Sequence, residues 1–168
     1  MTLGRTWSAT ISVPEQAADR PVYTAPAISP DGTDLYVVFN AFTNRYRHNT
    51  TAPRGLVGVV KHANLNGSGT PTGWTTLNRG TVGDPRGTSQ NGLTAEFLGD
   101  YVYAVATRDY GVGVWNDARR AADCPAIDVW RMSLRTGTTV PTPSPGTDCN
   151  KDFGNSDIYG GSYADPTP

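Results

Sequence analysis

Residues 94–119 read TAEFLGDYVYAVATRDYGVGVWNDAR, and this stretch leaves few options for the fold around it. Residues 101–106 (YVYAVA) are apolar and aromatic, residues 108–111 (RDYG) carry turn chemistry, and residues 112–115 return in the same apolar character. Two β-rich runs joined by a short polar turn predict a hairpin. Polar residues stand at both of its ends: Glu96 and Asp100 before the first strand, Asn116, Asp117 and Arg119 after the second. Strand ends held by a rigid sheet are where β-proteins commonly carry function.

The rest of the composition suits such a hairpin. Among 168 residues there are 19 Gly, 13 Pro and eight Tyr, but Glu15 and Glu96 are the only glutamates, so strand and turn formers outnumber helix formers. The expected class is all-β. A formal net charge of −1 gives no footprint for a nucleic acid or an anionic membrane. No apolar run approaches the roughly 18 residues of a membrane span, and the opening MTLGRTWSAT reads without the basic and apolar pattern of a signal peptide. Cys124 and Cys149 fit neither a C-x-x-C redox pair nor a zinc ribbon. In an oxidising compartment they would close a disulfide over the Pro-rich loop between them; otherwise they are two unrelated thiols. His48 and His62 lie too far apart to suggest a local metal site, so neither metal nor cofactor is expected.

Taken in order, the chain alternates strands and turns. Residues 25–29 form a short strand, Pro30-Asp31-Gly32-Thr33 a tight turn, and residues 34–42 (DLYVVFNAF) a strand buried on both faces. After a polar loop come strands at 55–63 and 74–77, which complete a four-stranded meander over residues 21–80. The pattern then restarts at 92–168, with the hairpin, a strand at 127–134 (IDVWRMSL), a Thr/Pro-rich loop at 135–150 and a last strand at 157–163. Trp115-Asn116-Asp117 overlays Phe39-Asn40-Ala41 at an offset of 76 residues, and 127–134 overlays 56–63 at 71. A repeated four-stranded meander is the sequence form of a β-propeller. Gly111 and Gly113 fall inside a strand, where missing side chains permit close sheet packing.

The GDY and VWNDAR motifs within residues 99–119, the Ser29-Pro30-Asp31-Gly32 turn and Gly4-Arg5-Thr6-Trp7 together resemble bacterial sialidase-like propellers with BNR, or Asp-box, repeats. The resemblance implies a partial propeller of about two four-stranded blades plus an N-terminal strand, residues 1–20 being the last strand and loop of a preceding blade. Since such propellers close with about six blades, it implies a C-terminal fragment of an extracellular protein, with exposed blade faces prone to self-association.

Function follows from the resemblance as an expectation: exo-hydrolysis of terminal sialic acid or a related sugar on a glycan, possible for the family and in question for a fragment. Family chemistry uses arginines on the substrate carboxylate, a Tyr nucleophile sharpened by a Glu, and an Asp acid/base. Glu96, Asp100 and Tyr101 are the catalytic candidates; Arg54, Arg86, Arg119, Asp117 and Tyr163 are candidates for substrate binding, with Tyr163 also eligible as nucleophile. Each has an ordinary structural alternative, Asp100 as a turn residue, Asp117 and Arg119 as an ion pair, Tyr101 as packing. The second function class is a non-catalytic propeller that stacks loop aromatics such as Tyr46, Trp74 and Tyr110 on a carbohydrate or protein partner. The third is a truncated product with no activity.

Overall fold

The computed structural model describes residues 9–13, 19–45, 49–99 and 101–167. The first half forms one antiparallel sheet in which β1 (Arg20–Ile28), β2 (Asp34–Phe42), β3 (Leu56–Leu65) and β4 (Pro71–Arg79) lie side by side in chain order. The turn between β1 and β2 is fixed locally: Gly32 adopts φ 79°, and the Ser29 hydroxyl accepts hydrogen bonds from the backbone N–H groups of Thr33 and Asp34. β2 and β3 then pair without a slip from Asp34 opposite Asn64 to Phe42 opposite Leu56. Both faces of these central strands are buried, as their unbroken apolar runs require. On one face Val37, Phe39, Ala41, Val57 and Val59 make a core against which Val13 and Trp74 pack.

A second antiparallel sheet contains β5 (Tyr103–Ala106), β6 (Tyr110–Asp117) and β7 (Asp157–Ala164), with β6 in the middle. Between β6 and β7 the chain leaves the sheet to form α1 (Pro125–Thr136) and the single-turn α2 (Pro145–Asp148). Cys124 and Cys149 are joined in a disulfide that closes this excursion at its base, with Cα atoms 5.0 Å apart. The fold is therefore mostly β, in two antiparallel sheets.

Two expectations are corrected. Residues 127–134 are the body of α1, not a strand, so the second sheet has three strands among the described residues rather than four. Pro125 at the first helical turn and Gly137 in the left-handed conformation (φ 72°) at the C-cap bracket this helix, and Asp128 in its first turn and Arg135 in its last suit the helix dipole. Residues 9–13, which with residue 19 and the start of β1 are the described part of the strand and loop expected within residues 1–20, form no strand either. The neighbouring edge strand β1 holds Pro21 and Pro26, which lack N–H donors, and a bulge at Tyr23, so its ladder is interrupted. The motif Gly4-Arg5-Thr6-Trp7 lies outside the described residues.

The two sheets pack face to face, and glycines set their spacing. A Cβ at Gly111 would stand 2.0 Å from the Tyr36 ring, one at Gly113 2.8 Å from Val38, and one at Gly58 2.0 Å from the Trp115 indole. Val38, Val60 and Trp115 form the shared core, with Ala104, Tyr159 and Tyr163 against it. The overlaid asparagines meet across this interface: Asn40 Nδ2 donates to the Asn116 carbonyl at 2.8 Å, and Asn116 N–H donates to Asn40 Oδ1 at 3.3 Å.

Substitution at these glycines should separate the sheets. Gly58→Ala is expected to lower unfolding stability by about 2 kcal/mol or more in urea titration, because a rigid indole must move. Gly67→Ala, whose Cβ would meet nothing within 4 Å, should change it by less than about 0.5 kcal/mol.

Candidate functional site

At the end of β2 that carries Phe42, the loop after the Pro85–Gly87 turn of 3-10 helix walls a cleft of about 450 Å³. Tyr23, Phe42 and Phe97 supply its aromatic surface; Thr50, Thr94, Glu96, Arg131 and Arg135 supply its polar groups. Two residues beside it hold unusual backbone conformations. Tyr23 (φ 52°) and Leu93 (φ 59°) are the non-glycine residues with positive φ among the described residues. Tyr23 sits where the β1–β2 register shifts, so a bulge re-aims its side chain toward the cleft, where it remains 43% exposed.

The loop is organised by Arg131, which α1 inserts beneath it. This buried guanidinium donates to the carbonyls of Leu93 (2.7 Å), Thr88 (3.2 Å), Ala95 (3.1 Å) and Arg86 (3.5 Å) and to the Ser89 hydroxyl (3.1 Å). Burial pulls its pKa down, while the nearby carboxylates of Glu96 and Asp128 oppose that shift. Bonding of the Leu93 carbonyl accounts for how a leucine is held at positive φ.

Next to Arg131 lies a second buried guanidinium. Arg86 is held by Asp84, by Asp128 at 2.9 Å, by Asp123 at 3.1 Å and by the Thr51 carbonyl at 2.9 Å. Burial disfavours its charge, but Asp84, Asp128 and Asp123 outweigh burial and raise its pKa. Asp128 is 2% exposed, and one of its carboxylate oxygens has no partner. Desolvation drives its pKa up to about 6 against the pull of Arg86.

The candidate residues named from sequence fall in several places. Glu96 lines the cleft and is ion-paired with Arg54, which also donates to the Asn49 carbonyl at 2.7 Å. Arg86 belongs to the network under the loop. Arg119 forms a two-pronged pair with Asp117 at 2.8 and 2.7 Å and stacks over Tyr159 at 4.1 Å, while Asp117 also accepts from the Trp115 indole. This pair raises the Arg119 pKa. Tyr101 is 67% exposed and stacks on Tyr103, and Tyr163 lies in the inter-sheet core, where burial raises its pKa. Asp100, like Tyr46, lies outside the described residues. The structure thus brings Glu96 and Arg54 together; Arg86 and Arg119 each serve other carboxylates, and among the described residues no tyrosine hydroxyl bonds to Glu96.

At the opposite end of β2, Asp34, His62 and Asp165 converge, their ligand atoms all within 4.8 Å of one another. Burial, and then the charges of Asp165 and Asp34, push the adjacent Tyr36 hydroxyl up to about 12. Compared with models of known protein families, with curated proteins and with solved structures, the chain matches none of them.

Asp128 gives the protein a pH signature. Its folded pKa lies above its ordinary 3.8, so between about pH 4 and 6 the folded state binds the extra proton, and stability is gained as pH falls through 6. The unfolding free energy of the wild type minus that of Asp128→Asn should rise on acidification from pH 7 to 4, by on the order of 2 kcal/mol. A difference flat over that range would contradict the assignment.

Proposed function

We propose that the chain is part of a sialidase-like β-propeller whose Glu96 cleft binds a carbohydrate without hydrolysing it. The propeller reading is supported by the meander order of the first sheet and by the meeting of Asn40 with Asn116 at equivalent places in the two sheets. Tyr103, Val105 and Ile158 stand exposed on the outer side of the second sheet, the side where a further blade or a second copy would sit. The Cys124–Cys149 disulfide suits an extracellular protein.

The observation that carries the binding reading is Tyr23. A tyrosine at positive φ costs about 1–3 kcal/mol, and such a conformation clusters at sites where it serves a ligand. Here it presents an exposed ring to a cleft that also offers Phe42, Phe97 and the Glu96 carboxylate, the mixture of flat apolar surface and directional polar groups that a sugar ring uses. The catalytic reading lacks comparable support. Its arginines are spent on separate carboxylates, and its two tyrosine candidates lie on an outer face and in a core.

Calorimetric titration of the chain with a panel of sialylated and neutral oligosaccharides tests this. At least one should bind, and Tyr23→Gly should weaken it tenfold or more while leaving the melting temperature equal or higher, since glycine accepts positive φ without strain. Glycan binding indifferent to Tyr23→Gly would remove the cleft from the account. Hydrolysis of a fluorogenic sialoside, abolished in Glu96→Gln, would replace binding by catalysis.

A further inference from the structure

We propose that Asp34, His62 and Asp165 form a binding site for one divalent cation of the Zn²⁺ type, which would join the two sheets at the end of β2 remote from the Glu96 cleft. His62 Nε2 stands 2.8 Å from Asp34 Oδ1 and 3.7 Å from Asp165 Oδ1. Donor atoms on a tetrahedral ion with bonds of 2.0–2.2 Å are about 3.3–3.6 Å apart, so small side-chain shifts would bring all three onto one ion. One imidazole nitrogen with two carboxylates is a donor set Zn²⁺ accepts, whereas Ca²⁺ and Mg²⁺ favour oxygen alone.

The positions of these groups are set by the fold. Asp34 begins β2 and His62 lies on β3, one on each of two paired central strands, whereas Asp165 follows β7 of the other sheet. The second oxygen of Asp34 accepts from the Thr33 hydroxyl, which orients the carboxylate and leaves the first oxygen toward His62. Asp165 is held by its N–H bond to the Asp109 carbonyl at 2.8 Å, and its carboxylate accepts from Thr167 N–H at 2.8 Å.

An independent observation lies beside the cluster. The Tyr36 hydroxyl is buried, with the residue 1% exposed, and has no hydrogen-bond partner, although its ring packs 5.0 Å from that of His62. A buried hydroxyl left unpaired is costly, and a metal ion or its bound water would give it a partner. An approach exists: a cleft of about 540 Å³ reaches Asp34 and Asp165 from solvent, and Asp31 and Asp109 outnumber Arg108 at its wall. A bound ion would take the Nε2 lone pair of His62, whose Nδ1 is buried without a hydrogen-bond partner.

The test uses the untagged chain after chelator dialysis, titrated with ZnCl₂ by calorimetry, melted with and without the metal, and loaded with Co²⁺ for visible spectroscopy. One Zn²⁺ per chain should bind with Kd on the order of 10 μM or tighter, raise the melting temperature, and be replaced by Co²⁺ with a visible ligand-field band. Asp165→Asn, at a half-buried position after the last strand, should weaken Zn²⁺ at least tenfold with an unchanged circular dichroism spectrum. His48→Ala should bind as the wild type does. Unchanged affinity in Asp165→Asn, loss of binding in His48→Ala, or a wild type that shows neither stoichiometric Zn²⁺ nor a Co²⁺ band would overturn the site. Equal stabilisation by Ca²⁺ or Mg²⁺ would overturn its Zn²⁺ character. The wild-type Co²⁺ spectrum decides the matter even where the variant fails to fold.

Discussion

The close approach of the two sheets is the constraint on which the molecule depends. It is possible because Gly58, Gly111 and Gly113 present bare backbone where Trp115, Tyr36 and Val38 need room. Large side chains from one sheet thus fit the gaps left by glycines in the other, so the interface is filled without spreading the strands. The asparagine pair across it supplies two directional bonds that fix how one sheet slides on the other. Burial of Asn40 and Asn116 is tolerable because each side chain finds a backbone partner on the opposite sheet or in the preceding loop.

Around that interface the polar chemistry divides into two ends of β2. At one end α1 drives Arg131 under a loop that would otherwise have few apolar contacts, and five oxygens turn toward it. A buried cation of this kind is expensive to desolvate, and its value is that of a template: it specifies one shape for the loop that shows Glu96 to the cleft. At the other end the order is set by aspartates and a histidine, drawn from both sheets. The same strand therefore carries an aromatic-lined cleft at its finish and a compact acidic cluster at its start.

Much of the first sheet was legible in the sequence. Residues 34–42 match β2 to the residue because an apolar run begins right after Pro30-Asp31-Gly32-Thr33, and such punctuation is local. The packing role of Gly111 and Gly113 was also readable as a pattern. The helix was not. Two residues on its buried stripe are Asp128 and Arg131, so the 3.6-residue period was hidden behind charges, while Ile127, Val129 and Trp130 gave the composition of a strand. Pro125 and Gly137 were the signals that could have revealed it. Tyr23 reaches the cleft through a bulge, which leaves no mark in sequence, and the members of the Asp34, His62 and Asp165 cluster are brought together only by tertiary structure.

The excursion between β6 and β7 has a consequence for assembly of the second sheet. The first sheet is built from neighbours in sequence, each strand pairing with the next. β7 must find β6 across roughly forty residues, a search of higher contact order that places it among the later pairings. The bridge between Cys124 and Cys149 shortens that path to roughly fifteen residues, easing loop closure by about 1 kcal/mol. Completion of the sheet is thereby coupled to the moment of thiol oxidation, and the last strand arrives most readily once the bridge between Cys124 and Cys149 has formed.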